Sequence, residues 1–159
     1  MKVRPGDKMS ASVDVRGKSV TLKLSNLTRK TAYKKTSTMA APDVSSAEWI
    51  VEAPSGCKSS GSCQQLPLGD FGTIKFATAR ATTVAGHTGR IKDAAWTATK
   101  LNLSQSASGG RGFNSVSSSR GALTSALGSG GGSFGVSYEN GSALGKAVVT
   151  QPALKRVGG

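Results

Sequence analysis

Apolar and polar side chains alternate with a period of two through several short runs of this chain, each bounded by turn-forming residues. That period belongs to strands with two chemically different faces. Residues 9–15 (MSASVDV) and 19–24 (SVTLKL) are two such runs. Arg16, Gly17 and Lys18 join them as a hairpin, with Gly17 free to take a positive φ. In the second run Val20, Leu22 and Leu24 point one way, and Thr21 and Lys23 the other. Residues 30–38 predict a third, more polar strand near a sheet edge, where lysines discourage further pairing.

Further along, 45–53 predicts a strand that Pro54 ends, with Ala47, Trp49 and Val51 on one face and Glu48, Ile50 and Glu52 on the other. Residues 71–78 predict another, with Phe71, Thr73 and Lys75 on one face and Ile74 and Phe76 on the opposite one. Residues 79–103 are less regular, although 95–101 (AWTATKL) reads as a strand. Residues 133–139 place Phe134, Val136 and Tyr138 together. The Ser/Gly-rich stretch 104–132 predicts a long loop or insert. In the tail, 147–150 could add an edge strand, and the last residues are expected to fray. Apolar and mixed faces in this arrangement predict an all-β fold, an antiparallel two-sheet β-sandwich.

Composition agrees with that class. Aromatic residues make up 5% of the chain and Gly and Ser are abundant, which favours many turns over helices. A length of 159 residues predicts one domain able to bury a core. No apolar run is long enough to predict a membrane span, and no signal-peptide core follows Met1. The formal charge is +13, from 21 Lys and Arg against 8 Asp and Glu. The basic residues are scattered rather than blocked, so they predict solubility and nonspecific attraction to anions, not a specific nucleic-acid tail. Cys57 and Cys63 bracket five residues rich in Ser and Gly and predict a small disulfide loop in an oxidising compartment, or two free thiols in a reducing one. Two Cys and the single His87 are too few for a zinc site, so no metal or other cofactor is expected.

Glu48 and Glu52 are two of only three glutamates, and alternation puts both on one face. The pattern alone allows either solvated outer-face residues or a paired acid site. The runs SSAEWIVEAPS (45–55) and LPLGDFGTIKF (66–76) resemble the core signature of the glutamic peptidases, the eqolisins. VRPGDKMSASV and the strands after it (3–35), GRIKDAAWTATKLNL (89–103) and GSFGVSYE (132–139) are similar to further segments of that family. The resemblance implies a glutamic-type acid endopeptidase acting on polypeptides, secreted, with Glu48 as the catalytic acid/base and Glu52 as the fallback. It covers about two thirds of the chain and implies a partial domain over residues 1–139, interrupted by the Ser/Gly-rich insert at 104–132, with 140–159 as a C-terminal extension.

Glutamic peptidases also use a Gln from an earlier strand, and no Gln precedes Glu48 here. The resemblance therefore implies a partial domain that begins in mid-sandwich and is weakly active or inactive alone. Gln64 and Gln65 beside the cysteine loop lack the strand context of that Gln. His87 is isolated in a Gly-flanked loop, and no G-x-S-x-G elbow or phosphate-loop motif is present. Asn26, Asn102 and Asn140 begin glycosylation triplets, relevant only in a eukaryotic secreted host. The second reading is a noncatalytic, basic β-sandwich module that binds polyanions or cell surfaces. Oligomeric state is not legible from the sequence.

Overall fold

A computed structural model describes residues 1–59, 61–105 and 120–140 of the chain. Eleven strands and no helix form among them: β1 (Met9–Arg16), β2 (Ser19–Asn26), β3 (Thr31–Thr38), β4 (Ser55–Cys57), β5 (Cys63–Gln65), β6 (Thr73–Phe76), β7 (Arg80–Thr82), β8 (Thr88–Arg90), β9 (Leu103–Gln105), β10 (Arg120–Thr124) and β11 (Phe134–Asn140). Every pairing is antiparallel, as the alternation predicts for an all-β chain. The chain divides into two compact units, Met1–Glu48 and Trp49–Gly159.

The first unit is the meander β1-β2-β3. Gly17 and Lys18 alone connect β1 to β2, and Gly17 has φ 57, as a type II′ hairpin requires of its first central residue. Register sets Ala11 opposite Leu24 and Leu24 opposite Tyr33, with Val13, Leu22 and Lys35 in the next row of that face. Val13 is 67% exposed and Leu22 47%, so this apolar face is not where the core lies. β3 is an edge strand with all eight residues exposed, as its lysines predict.

The hairpin ends are fastened by a polar knot. Asn26, the last residue of β2, is 1% exposed. Its Nδ2 donates to Asp7 Oδ2 at 2.7 Å, and its Oδ1 accepts from the Arg29 amide at 3.0 Å. Asp7 Oδ2 also accepts from Arg29 Nε at 2.9 Å and from the Arg4 amide at 2.9 Å. The Asn26 and Arg4 donors, with Arg29 beside them, hold the Asp7 carboxyl below its ordinary pKa of 3.8. A buried amide is satisfied here on both its ends. The glycosylation triplet at Asn26 is thus occupied structurally.

The second unit holds the four-stranded sheet β6-β11-β10-β9 and two ribbons, β4-β5 and β7-β8. Its core consists of Ala53, Leu68, Ala79, Ala122, Phe134 and Val136, with Trp49, Val51, Phe71, Phe76, Ile91, Leu103 and Tyr138 packed against it. β11 runs through the middle of the sheet. Phe134 stands opposite Phe76 and Val136 opposite Ile74, and the two phenylalanine rings stack at 4.7 Å.

Four expectations are corrected. Residues 45–54 form no strand: an extended segment needs a ladder partner, and among the described residues this one has none until Ser55 starts β4. Residues 95–101 form no strand either. Asp93 Oδ1 accepts the Ala95 amide at 2.9 Å, and the Trp96 indole N–H donates to the Arg90 and Ile91 carbonyls, so the chain turns there instead. Phe71 lies on the face opposite to the one its parity predicts. Asp70 Oδ1 accepts the Gly72 amide and Gly72 takes φ 63, which shifts the phase by one and brings the Phe71 ring to 5.9 Å from Tyr138. Within 104–132, β10 is a central strand, with Gly121 and Ala122 buried. Its small residues let it lie under neighbours that a hydrophobic count does not flag. The tail 141–159, including 147–150, lies outside the described residues.

Candidate active site and its relatives

The segment that carries both candidate carboxylates keeps its alternation in burial, although it lacks a ladder. Trp49 and Val51 are half-buried and Ala53 is buried against the core, whereas Ile50 and Glu52 are exposed. Ala53 fixes the phase, because its backbone runs on through Pro54, whose carbonyl accepts the Leu66 amide at 2.7 Å, into the β4-β5 ribbon. Trp49 packs against the core, the role its position predicts.

Glu48 ends the first unit and is exposed. Ser46 Oγ donates to its Oε1 at 3.4 Å, a long bond that leaves most of the carboxylate open to solvent. Just upstream, Asp43 Oδ1 accepts the Ser45 amide at 2.9 Å, and that bond holds the Asp43 carboxyl below its ordinary pKa of 3.8. Glu52 belongs to the second unit and has no hydrogen bond or ion pair among the described residues.

The cysteines are joined. Cys57 and Cys63 stand directly opposite each other at the end of the β4-β5 ribbon, with Cα atoms 4.0 Å apart and a disulfide between them. Gln64 and Gln65 follow in β5 opposite Gly56 and Ser55, and both are exposed. Asp70 serves the turn at Gly72, as an Asp before a strand is expected to do.

His87 is not isolated. Its Nε2 lies 3.1 Å from Asp93 Oδ1, and its ring meets the edge of Trp96 at 5.6 Å. The Ala95 amide, and then His87, hold the Asp93 carboxyl below its ordinary pKa of 3.8. The sequence signal is an Asp and a Trp six and nine residues beyond the histidine, masked when 95–101 is read as a strand. Among the described residues no group of three or more His, Cys, Asp or Glu is arranged to hold a metal ion.

The all-β antiparallel fold, taken with the family and structural matches, makes this a glutamic-peptidase-type domain. The chain belongs to the Peptidase A4 family, the glutamic peptidases, which it matches over residues 1–126. Among solved structures it is similar to aspergilloglutamic peptidase from Aspergillus niger, with a TM-score of 0.58 and 25% identity over 87% of this chain and 70% of that one. No curated protein matches the chain. The family acts on polypeptides, and among the described residues no helix is long and apolar enough to cross a membrane.

Proposed function

We propose that this chain supplies the glutamate half of an acid endopeptidase site, with Glu48 as general base and then general acid. Glu48 takes a proton from water as the water oxygen adds to the peptide carbonyl carbon and the carbonyl π pair moves onto its oxygen. The protonated Glu48 then delivers that proton to the departing amide nitrogen as the C–N bond breaks. One observation supports this assignment. All five aspartates are tied into turns or ion pairs, at Asp7, Asp14, Asp43, Asp70 and Asp93. Glu48 and Glu52, in a chain with 21 cationic side chains, have no basic partner among the described residues. A catalytic carboxylate must be free to exchange a proton, and a salt bridge would hold it ionised.

The remaining requirement is a donor for the developing oxyanion. The four glutamines, Gln64, Gln65, Gln105 and Gln151, all follow Glu48. Residues 1–159 therefore offer the base without an amide in the place the family uses. Loss of one oxyanion donor costs about 2.7–4 kcal/mol, a hundred- to thousandfold in rate, so turnover by this chain alone is expected to be weak. The disulfide fits an extracellular setting like that of the secreted members the sequence resembles.

The test is digestion of an unfolded protein across pH 2–7 by three forms: the chain itself, the chain fused behind a Gln-bearing family N-terminal segment, and that fusion carrying Glu48→Gln or Glu52→Gln. Weak or no turnover by the chain, acid turnover by the fusion, and loss with Glu48→Gln but not Glu52→Gln are expected. Full activity of the Glu48→Gln fusion moves the role to Glu52 or off this segment.

A further inference from the structure

We propose that the recess between the β7-β8 ribbon and the glycine-rich loop 128–133 is a binding site for a tetrahedral oxyanion of the phosphate or sulfate type, held by Arg80 and Arg90. This site does not rest on the peptidase reading and uses none of its residues.

Arg80 and Arg90 stand directly opposite each other in the ribbon register. Like charges in that relation repel, and the usual remedy is a carboxylate between them. None is present among the described residues: neither guanidinium forms an ion pair. Asp93 is close in sequence but lies across the ribbon. A Cβ on Gly89 would collide with the Asp93 carboxylate, and Gly89 alternates with Arg90 along β8, so Asp93 covers the face away from the arginines. There it is already engaged by His87.

The arginine face is instead bounded by a wall that keeps space open. Arg80, Arg90, Thr78, Gly130, Gly132 and Ser133 are among the residues that line a recess of about 110 Å³, room for an ion of a few heavy atoms when a water's share is about 30 Å³. Arg90 Nη1 donates to the Gly130 carbonyl at 2.8 Å, which fixes the plane of that guanidinium and leaves its other N–H groups unassigned. Arg80 makes no hydrogen bond among the described residues, so all five of its donors are available. Glycine suits this loop: Gly131 has φ 69 and a Cβ there would fall 2.7 Å from Lys92 Cβ, while one on Gly132 would crowd the Ala79 carbonyl at 3.0 Å. Backbone bonds from Ala79 to Gly132 (2.8 Å) and from Lys92 to Gly131 (2.9 Å) hold the loop in place. One guanidinium held by the Gly130 carbonyl and a second, unengaged one on the residue directly opposite offer the paired N–H donors that an oxyanion accepts.

The experiment is an NMR titration of the full chain with inorganic phosphate at pH 6, with ionic strength matched by chloride. Saturable shifts at the amides of Ala79, Arg80, Arg90 and Gly130–Gly132 are expected, with affinity at least tenfold weaker in Arg80→Gln. Arg90→Gln should abolish binding, and its ligand-free spectrum reports whether the loop has moved; Arg80→Gln, on an exposed residue with no protein partner, keeps the test decisive if it has. O-phosphoserine separates the sources. Equal affinity identifies an ester-borne phosphate and exclusion identifies the free ion, and both outcomes uphold the site. Shifts that do not saturate, that appear equally around Lys23 and Lys34, or that persist unchanged in Arg80→Gln overturn it.

Discussion

Replacing Phe134 by alanine should remove more stability than any other single apolar truncation in the described part of the second unit. Of the six buried apolar residues, three are alanines, so the large side chains carry the burial: Leu68, Phe134 and Val136. Phe134 is 8% exposed, and its ring stacks on Phe76 at 4.7 Å with 15° between planes. Phe-to-Ala changes in cores cost about 3–5 kcal/mol, and a stacked aromatic pair contributes about 0.5–1.5 kcal/mol of that beyond area. Against a total stability of about 5–15 kcal/mol, such a loss is large. Urea unfolding followed by the fluorescence of Trp49, packed against this core, and of Trp96, bonded to the Ile91 carbonyl, measures it. At a slope of about 2 kcal/mol per molar, the midpoint should fall by roughly 2 M. A double-mutant cycle with Phe76→Ala should return a coupling of about 1 kcal/mol. A loss under about 1 kcal/mol for Phe134→Ala, or additivity of the two changes, would refute the placement of the core on β11.

Opening the Cys57–Cys63 link with a double Ser substitution should cost about 2 kcal/mol by loop-closure entropy for so short a loop, read as a shift in urea midpoint that reductant reproduces in the parent and not in the variant. The acid limb of stability should be steep below about pH 4, because Asp7, Asp43 and Asp93 are all held below their ordinary value of 3.8. The sign follows from proton uptake. In that range the unfolded chain binds more protons than the folded one, so these carboxylates stabilise the fold above the ordinary value and lose that effect as pH falls through their folded values. Asp7→Asn should lower stability at pH 6 and flatten the curve between pH 4 and 2; an unchanged slope would exclude Asp7 as a contributor.

Local chemistry and period decided which elements could be anticipated. The β1-β2 hairpin was legible because Gly17 sits between two alternating runs and only glycine accepts its φ without strain. β11 was legible because Phe134, Val136 and Tyr138 keep an unbroken alternation. Phe71 departs from its expected face because one Asx turn and one left-handed glycine advance the phase by a residue, and alternation cannot report a phase slip. Trp96 reads as a strand residue, yet its indole N–H is spent on two carbonyls of a turn. β10 was hidden because glycine and alanine mark a central strand by what they omit. For 45–53, burial follows the predicted alternation where Trp49, Val51 and Ala53 turn inward, while the ladder does not, since pairing depends on a neighbour no local pattern specifies.

The distribution of acids links the fold to the chemistry. With 8 carboxylates among 21 basic residues, mutual attraction alone would leave every acid paired. The aspartates instead divide among turns and knots at Asn26, Ser45, Gly72 and Ala95, where a short side chain reaches a nearby donor, and one pairs with Arg16. Glutamate is one methylene longer and poor at such local turns, so Glu48 keeps only the long Ser46 contact and Glu52 none among the described residues. Excess positive charge is left uncompensated elsewhere, most sharply where Arg80 faces Arg90. Structural work thus falls to the shorter acid, proton transfer is proposed for the longer one, and the unpaired arginines are left to take an anion from solution.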